Sequence, residues 1–235
     1  PRNKLRQQIG HIAGSARGRV GAAVMVVESG ETLVALNAGE RFPMQSVYKL
    51  PIGMAVLSQI DAGALKLEQR VRVEKSDLVG ARLHSPVRDK NPLGTELSVG
   101  VLLRLMVSQS DGTASDVLMR LVGGPEFVNK YLRNLGINGV MVLNTEKEMG
   151  ENPSLQYQNW AQPESVIVLL RALQEGRGLS AQSRTLLLQL MTETPTGPRR
   201  IKGRLPAGTV VAHKTGSSGT ENGMTAATND IGLMT

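Results

Sequence analysis

The 235-residue chain contains no cysteine, which excludes a disulfide framework and any metal site built on thiolates. Its three histidines, His11, His84 and His213, are widely separated and do not show the spacing of metal ligands. The sequence therefore predicts a protein without a bound metal, and no motif indicates a cofactor.

Aromatic residues make up only 3% of the chain, although its net charge is +7. Surfaces that bind nucleic acid combine a continuous basic stripe with aromatic side chains that stack on bases. The basic residues here form no such stripe, so we expect a solvated basic surface and no nucleic-acid partner.

Long hydrophobic runs are also absent, since none approaches the roughly 20 residues that a membrane helix requires. We expect no membrane span and a monomer. The first residues do not read as a signal peptide, which is consistent either with no export or with a signal peptide already removed.

The pattern of apolar residues predicts an α/β (α+β) fold, with strands near both ends of the chain and helices between them. Strands are predicted at 20–28, 32–37, 209–219 and 224–235. Helices are predicted at 3–17, 46–62, 98–109, 113–122, 125–135, 163–175 and 180–191. Residues 143–162 show no sustained period and predict a long ordered loop, a feature that is usually functional in compact domains.

This order of elements predicts one domain, 1–235, made of two lobes. An α/β lobe at about 1–40 and 192–235 would hold an antiparallel sheet flanked by helices, and an inserted all-helical lobe would span about 41–191. A cleft between two such lobes is the natural place for a site.

The segment "SVYK" places Ser46 and Lys49 three residues apart at the start of a predicted helix. This spacing puts the lysine one helical turn below the hydroxyl, where the positive end of the helix favours an alkoxide. Such a serine is a candidate nucleophile, although a helix cap beside a surface lysine would look the same in sequence.

Two further motifs follow in the chain. Ser110-Asp111-Gly112 lies in a predicted loop between helices, and Lys214-Thr215-Gly216 lies on a predicted strand. S-x-x-K, S-D-N and K-T-G occur in this order in class A β-lactamases and penicillin-binding proteins.

The chain resembles the class A serine β-lactamases, and most closely their PER-type extended-spectrum branch. The likeness runs from residue 3 to the end, through "FPMQSVYKL", "LVGGP", "LQYQNW", "TGPRRIKGRLPAGTVVAHKTG" and "AATND". It implies the serine β-lactamase/penicillin-binding-protein fold and hydrolysis of penicillins and cephalosporins through a serine acyl-enzyme. It also implies antibiotic resistance and a periplasmic or secreted protein.

The resemblance implies a role for several residues. Ser46 would attack the lactam carbonyl, and the N–H groups of Ser46 and Ser217 would form the oxyanion hole, in which one donor is worth roughly 3–4 kcal/mol. Ser110 would protonate the leaving nitrogen beside Lys49 and Lys214. Whether Lys49 or a glutamate acting through water is the acylation base stays open. The substrate-binding set would be Thr215, Gly216, Ser217, Ser218, Arg200 and Gly112.

Deacylation needs a base, and Glu146 in "NTEKEMG" resembles the family's E-x-x-L-N glutamate. Glu148 is the rival, two residues away. Asp116 matches an aspartate that supports the loop carrying this glutamate, and His84 falls where an aromatic residue often stands at the cleft mouth.

Three departures from the family pattern stand out. Gly150 replaces an asparagine that helps to hold the hydrolytic water, and Gly112 replaces one that meets the substrate's acylamide. The chain also ends where relatives continue with a last strand and a C-terminal helix, so we expect one open sheet edge. A penicillin-binding or sensor module that deacylates slowly is the alternative function, and an inactive scaffold is the third.

Overall fold

The computed structural model describes residues 2–235 and begins with a helix followed by an antiparallel pair of strands. Helix α1 spans Arg2–Gly14, β1 spans Ala22–Val26 and β2 spans Glu31–Leu36. Ala22 pairs with Leu36, and the turn closes where the Gly30 N–H donates to the Val26 carbonyl at 2.8 Å. Gly30 has a φ of 71°, a conformation that glycine adopts without steric cost.

A second antiparallel pair is formed by β8, Val211–Ser217, and β11, Thr228–Met234, near the end of the chain. Ser217 pairs with Thr228 and Val211 with Met234, so β11 runs the full length of β8. Between them, β9 (Thr220–Glu221) and β10 (Met224–Thr225) form a small hairpin whose Asn-Gly turn has both residues at positive φ. Within residues 2–235, no strand ladder joins β8–β11 to β1–β2.

Most of the longer helices after β2 pack around α2, Lys49–Asp61, whose first nine residues are all buried. A helix that is apolar on every side belongs inside a core, and the other helices shield it. They are α4 (Val99–Ser108), α5 (Gly112–Leu121), α6 (Gly124–Asn134) and α9 (Ala181–Thr192), whereas α8 (Pro163–Glu175) packs against β1 and β11.

Several short elements complete the middle of the chain. Strands β4 (Arg70–Val73) and β5 (Thr95–Ser98) pair with each other, and β3 (Phe42–Pro43) and β6 (Val140–Met141) flank β7 (Trp160–Ala161). Short helices are α3, Pro86–Lys90, and α7, Glu146–Glu151. Turns of 3₁₀ helix span Gln45–Tyr48, Lys75–Asp77, Pro153–Tyr157 and Ile201–Arg204.

The mixed fold with antiparallel strands confirms the predicted class. The middle of the chain is not all-helical as predicted, because β4 and β5 form a strand pair there. The alternation of exposed arginine and buried valine in β4 is a strand signal, but it is only four residues long. Residues 143–162, where we predicted a long ordered loop, contain the short helix α7 and a 3₁₀ turn.

No helix within residues 2–235 is both long and apolar enough to cross a membrane.

Replacing Leu103 by alanine tests the core around α2. The side chain is fully buried, so the substitution removes apolar contacts and leaves a cavity, and we expect a loss of roughly 2–5 kcal/mol in unfolding free energy. Urea denaturation followed by circular dichroism measures it. Leu93→Ala is the matched control, because Leu93 is 81% exposed; equal losses for the two variants would contradict this description of the core.

Candidate active site

Ser46 lies in the 3₁₀ turn that leads directly into α2. The preceding residue, Gln45, has a φ of 49°, and this sharp bend separates β3 from the turn. Lys49 is the first residue of α2, and its Nζ donates to Ser46 Oγ at 2.8 Å. The structure therefore brings together the serine and lysine of the S-x-x-K motif, with Lys49 only 1% exposed.

Lys49 has two further oxygen partners. Its Nζ donates to the Ser110 carbonyl at 2.9 Å and lies 2.6 Å from Glu146 Oε1. A buried ammonium group is costly unless it is paired and hydrogen-bonded. These contacts compensate the charge of Lys49 and place Ser46, Ser110 and Glu146 around one nitrogen atom.

Ser110 stands between the two buried lysines. Its backbone has a φ of 62°, which is uncommon for a residue with a side chain. Asp111 follows as the cap of α5 and accepts the N–H of Ala114 at 2.8 Å. This bend sends the Ser110 carbonyl to Lys49 and its hydroxyl to Lys214, whose Nζ lies 2.9 Å from Ser110 Oγ.

Lys214 is fully buried on β8, and its Nζ also donates to the Thr215 carbonyl at 3.1 Å. Burial lowers the pKa of Lys214 well below its usual value, and the charge of Lys49 lowers it further. The ammonium group of Lys214 therefore gives up a proton more readily than that of an exposed lysine.

Glu146 and Glu148 occupy different positions on α7. Thr145 caps this helix, and Glu148 folds back so that its Oε2 accepts the Thr145 N–H and hydroxyl, both at 2.8 Å. This reciprocal arrangement is a capping box, which commits the Glu148 carboxylate to the helix end. Glu146 is the glutamate that reaches Lys49.

Asp116 on α5 holds the start of α7. Its carboxylate accepts the N–H of Glu146 at 2.8 Å and that of Lys147 at 2.9 Å. Burial raises the pKa of Asp116 to about 7, and the negative charge of Glu146 also acts in this direction. Burial likewise raises the pKa of Tyr48 well above its usual value, with further contributions from the charges of Glu146 and Asp116.

The K-T-G strand forms the opposite wall. Thr215 Oγ1 shares a 2.7 Å hydrogen bond with Thr196 Oγ1, and Ser217 Oγ accepts from Arg200 at 2.6 Å. The Arg200 guanidinium also donates to the carbonyls of Gly216 and Asn229, at 3.2 and 2.6 Å. These bonds fix one arginine against the edge of the strand. Ser218, the next residue, donates its N–H to the Ala227 carbonyl at 3.0 Å.

The strand and the serine turn approach each other closely at Gly216. A Cβ atom at this position would lie 2.4 Å from the Met44 carbonyl oxygen, so only glycine permits the approach. Asn229 secures it from β11, because its Nδ2 donates to the carbonyls of Pro43 and Met44 at 2.8 and 3.0 Å. Sequence reasoning assigned no role to Asn229, since no motif spacing marks it.

The two glycines that depart from the family pattern lie on either side of Glu146. Gly112 is buried, its N–H donates to the His84 carbonyl, and a Cβ there would lie 3.4 Å from Glu146 Cγ. At Gly150, a Cβ would lie 2.7 Å from Leu83 Cδ1. The Leu83 side chain therefore occupies the space that a larger residue at position 150 would need.

These residues surround a cleft of about 760 Å³. Its lining includes Ser46, Lys49, Ser110, Glu146, Gly150, Thr215, Ser217, Ser218, Arg200 and His84, whereas Lys214, Gly112 and Asp116 support it from behind. Over residues 2–235, no cluster of three or more histidine, aspartate or glutamate side chains could hold a metal ion. The arrangement offers a hydroxyl nucleophile, a carboxylate base and a cationic wall.

The beta-lactamase enzyme family matches residues 4–235. The chain is 43% identical to the extended-spectrum beta-lactamase PER-1 of Pseudomonas aeruginosa, over 98% of this chain and 74% of that protein. Beta-lactamase VEB-1 of the same organism is 38% identical, over 99% and 78%. The crystal structure of a beta-lactamase from Chitinophaga pinensis superposes with a TM-score of 0.94 and 44% identity, over 98% of this chain and 85% of that one.

Asp116→Asn tests the buried carboxylate. The folded protein keeps a proton on Asp116 between the ordinary pKa of 3.8 and the raised value of about 7, whereas the unfolded chain has lost it. The contribution of Asp116 to unfolding free energy is therefore fully present below the lower value and falls as pH rises toward the upper one. The unfolding free energy of wild type minus that of Asp116→Asn, measured by urea denaturation, should therefore decrease as pH rises across this window.

Asp89→Asn is the control, because Asp89 is an exposed aspartate paired with Arg88. A constant difference between wild type and Asp116→Asn over the same pH range would contradict the raised pKa.

Proposed function

The chain belongs to the beta-lactamase enzyme family, and we propose a role in its reaction for each polar side chain of the cleft. It is a class A serine β-lactamase, which hydrolyses the β-lactam ring and so confers resistance to these antibiotics. The observation that carries the assignment of roles is the placement of Ser46, Ser110 and Glu146 around the Nζ of Lys49.

Acylation begins when Ser46 Oγ attacks the lactam carbonyl carbon. The proton of Ser46 passes either to Lys49 or, through a water molecule, to Glu146. Lys49 contacts both the serine and the glutamate, at 2.8 and 2.6 Å, so each candidate base lies close to the nucleophile. A base within hydrogen-bond reach of its nucleophile is the geometry that this step requires.

The lactam nitrogen leaves with a proton from the Ser110 hydroxyl. Lys214 donates a hydrogen bond to this hydroxyl at 2.9 Å and can replace the lost proton. The lowered pKa of Lys214 favours this transfer, since its buried ammonium group is a stronger acid than that of an exposed lysine. Breaking the carbon–nitrogen bond leaves the acyl group on Ser46.

The backbone N–H groups of Ser46 and Ser217 are the proposed oxyanion hole. The close approach at Gly216 and the two bonds of Asn229 hold β8 against the serine turn, which supports a fixed spacing of these donors. Preorganised donors stabilise the tetrahedral intermediate because they need no reorientation during the reaction.

Deacylation uses Glu146 to remove a proton from the attacking water, after the proton taken from Ser46 during acylation has been returned to Lys214. Ser46 Oγ recovers a proton as the acyl group leaves. Glu148 cannot share this role in the same conformation, since its carboxylate caps α7. Asp116 positions Glu146 by accepting two N–H groups at the start of that helix. A functional base beside Ser46 supports turnover rather than the alternative, a penicillin-binding or sensor module that stays acylated.

The substrate carboxylate is the proposed partner of the cationic wall. Arg200 donates to Ser217 Oγ, and Thr215 and Ser217 present hydroxyl groups beside it, with Lys214 behind them. Gly216 allows the close approach, and Ser218 lies at the edge of the strand and lines the cleft. Gly112 lies behind His84 and can offer substrate only backbone groups.

We further propose a monomer with one domain of two lobes, with the cleft between the lobe at about 41–191 and the remainder. Export to the periplasm, or secretion, would place the enzyme where β-lactams meet the cell. Proteins named as β-lactamases align with nearly the whole chain, which supports the single domain.

Glu146→Gln and Ser46→Gly test the two covalent steps. Mass spectrometry after mixing with a penicillin should show a persistent one-to-one adduct for Glu146→Gln, whose turnover falls at least 100-fold, and no adduct for Ser46→Gly. Glu148→Gln is the control and should keep turnover within a few-fold of wild type. Full hydrolysis by Glu146→Gln would contradict the assigned base.

Arg200→Gln tests recognition of the carboxylate. Loss of a hydrogen bond to a charged group is worth roughly 1.5–3 kcal/mol, so kcat/KM for a penicillin should fall about 10- to 150-fold, mainly through KM. Lys202→Gln, an exposed cation nearby, should leave both constants unchanged. Melting temperatures must stay comparable, because Arg200 also binds two backbone carbonyls. Equal kinetics for the two variants would refute this role.

A further inference from the structure

A second cavity lies beside the cleft and has no part in the chemistry above. Its volume is about 460 Å³, within the range of small-molecule sites. We name it the Trp160 pocket; its lining includes Arg19, Arg41, Leu143, Tyr157, Trp160 and Ala226. Tyr157 and Ala226 also line the cleft, so the two cavities share a wall.

Arg41 supplies an uncommitted positive charge. Its guanidinium carbon lies 4.0 Å from the centroid of the Trp160 ring, a distance typical of a cation–π contact. Among the described residues, no carboxylate or hydrogen-bond acceptor is paired with this side chain, which is exposed. The indole holds the guanidinium in place while its N–H donors stay available to a ligand.

Arg19 differs in that two of its donor groups already have partners. Its guanidinium pairs with Glu40 at 3.0 Å, donates to the Arg41 carbonyl at 2.9 Å and lies 4.7 Å from the centroid of Phe42. Its charge therefore adds positive potential to the Trp160 pocket, but its guanidinium N–H groups are less available to a ligand. Arg41 is therefore the more available of the two guanidinium groups in the lining.

The rest of the lining is largely apolar, apart from the side-chain amide of Gln158. Tyr157 is 50% exposed and Leu143 is 48% exposed, so both present surface to a ligand. A guanidinium fork binds a carboxylate through two parallel hydrogen bonds, and aromatic faces favour stacked rings. The combination fits a planar molecule with an anionic end better than either an aliphatic anion or a neutral ring.

We propose that the Trp160 pocket binds aromatic carboxylates, with Arg41 on the carboxylate and the ring against Tyr157 and Trp160. The aromatic carboxylate could be a separate small molecule. It could equally be the end of a side chain on a molecule held in the cleft, because Tyr157 and Ala226 border both cavities.

The chain offers a built-in reporter, since Trp160 is its only tryptophan. Protein labelled with fluorotryptophan should give one fluorine NMR resonance, and titration with naphthoate should shift it to saturation. The neutral naphthalenemethanol and the non-aromatic cyclohexanecarboxylate should each bind at least 10-fold more weakly. No saturable shift, or equal binding of naphthoate and the neutral alcohol, would overturn the proposal.

Arginine variants locate the charge. Arg41→Gln should weaken naphthoate binding about 5- to 10-fold, and Arg41→Lys should restore only part of it because lysine lacks the fork. Arg70→Gln is the matched control, an exposed arginine on β4 that pairs with Glu96. Unchanged affinity in Arg41→Gln would overturn the proposal, provided that its melting temperature matches wild type.

Kinetics distinguish the two sources of the carboxylate. A penicillin whose side chain ends in a benzoate is compared with its methyl ester in wild type and in Arg41→Gln. If the side chain reaches the Trp160 pocket, Arg41→Gln raises KM for the penicillin with the benzoate side chain and leaves KM for its methyl ester unchanged. If the pocket takes separate molecules, the KM values stay matched while the naphthoate shift persists. The titration does not depend on hydrolysis, so its failure is distinguishable from failure of the proposed catalytic roles.

Discussion

The site depends on one constraint, the need of two buried lysines for oxygen partners. Lys49 and Lys214 are at most 1% exposed, and an ammonium group removed from water must find oxygen partners. Those partners come from separate parts of the chain: the serine turn, the loop before α5, the start of α7 and β8 itself. The elements that compensate these charges are the same elements that bring the nucleophile and the base together.

The sequence predicted most of the helices, because each of them is long enough to show the helical periodicity of apolar residues. Helix α8 has the predicted bounds, 163–175, and α4, α5, α6 and α9 differ from prediction by one residue at each end. The short elements escaped prediction. Strands β4 and β5 have four residues each, and α7 has six, held by a capping box and by Asp116 from another helix. Such elements form through tertiary contacts, which leave little periodic signal.

The motifs named Ser46, Ser110, Glu146 and Lys214 as site residues. In the structure the first three surround Lys49 Nζ, and Lys214 Nζ contacts Ser110 Oγ. The sequence did not show which contacts join the walls of the cleft. Asn229 binds carbonyls more than 180 residues away, and Gln45 donates to Gln156 across the cleft floor at 2.7 Å. The sequence favoured Glu146 over Glu148 as the base, and the structure gives the two carboxylates different partners, Lys49 for Glu146 and the cap of α7 for Glu148.

Ser110 has a consequence for the relation between stability and activity. Its φ of 62° lets its carbonyl turn toward one lysine and its hydroxyl toward the other, but a side chain makes this conformation costly. Glycine would adopt it freely and would keep the carbonyl bond to Lys49, yet it would remove the hydroxyl that Lys214 contacts. The enzyme therefore retains a strained residue at the junction of α4 and α5, and selection for thermal stability alone would be expected to erode catalysis first at this position.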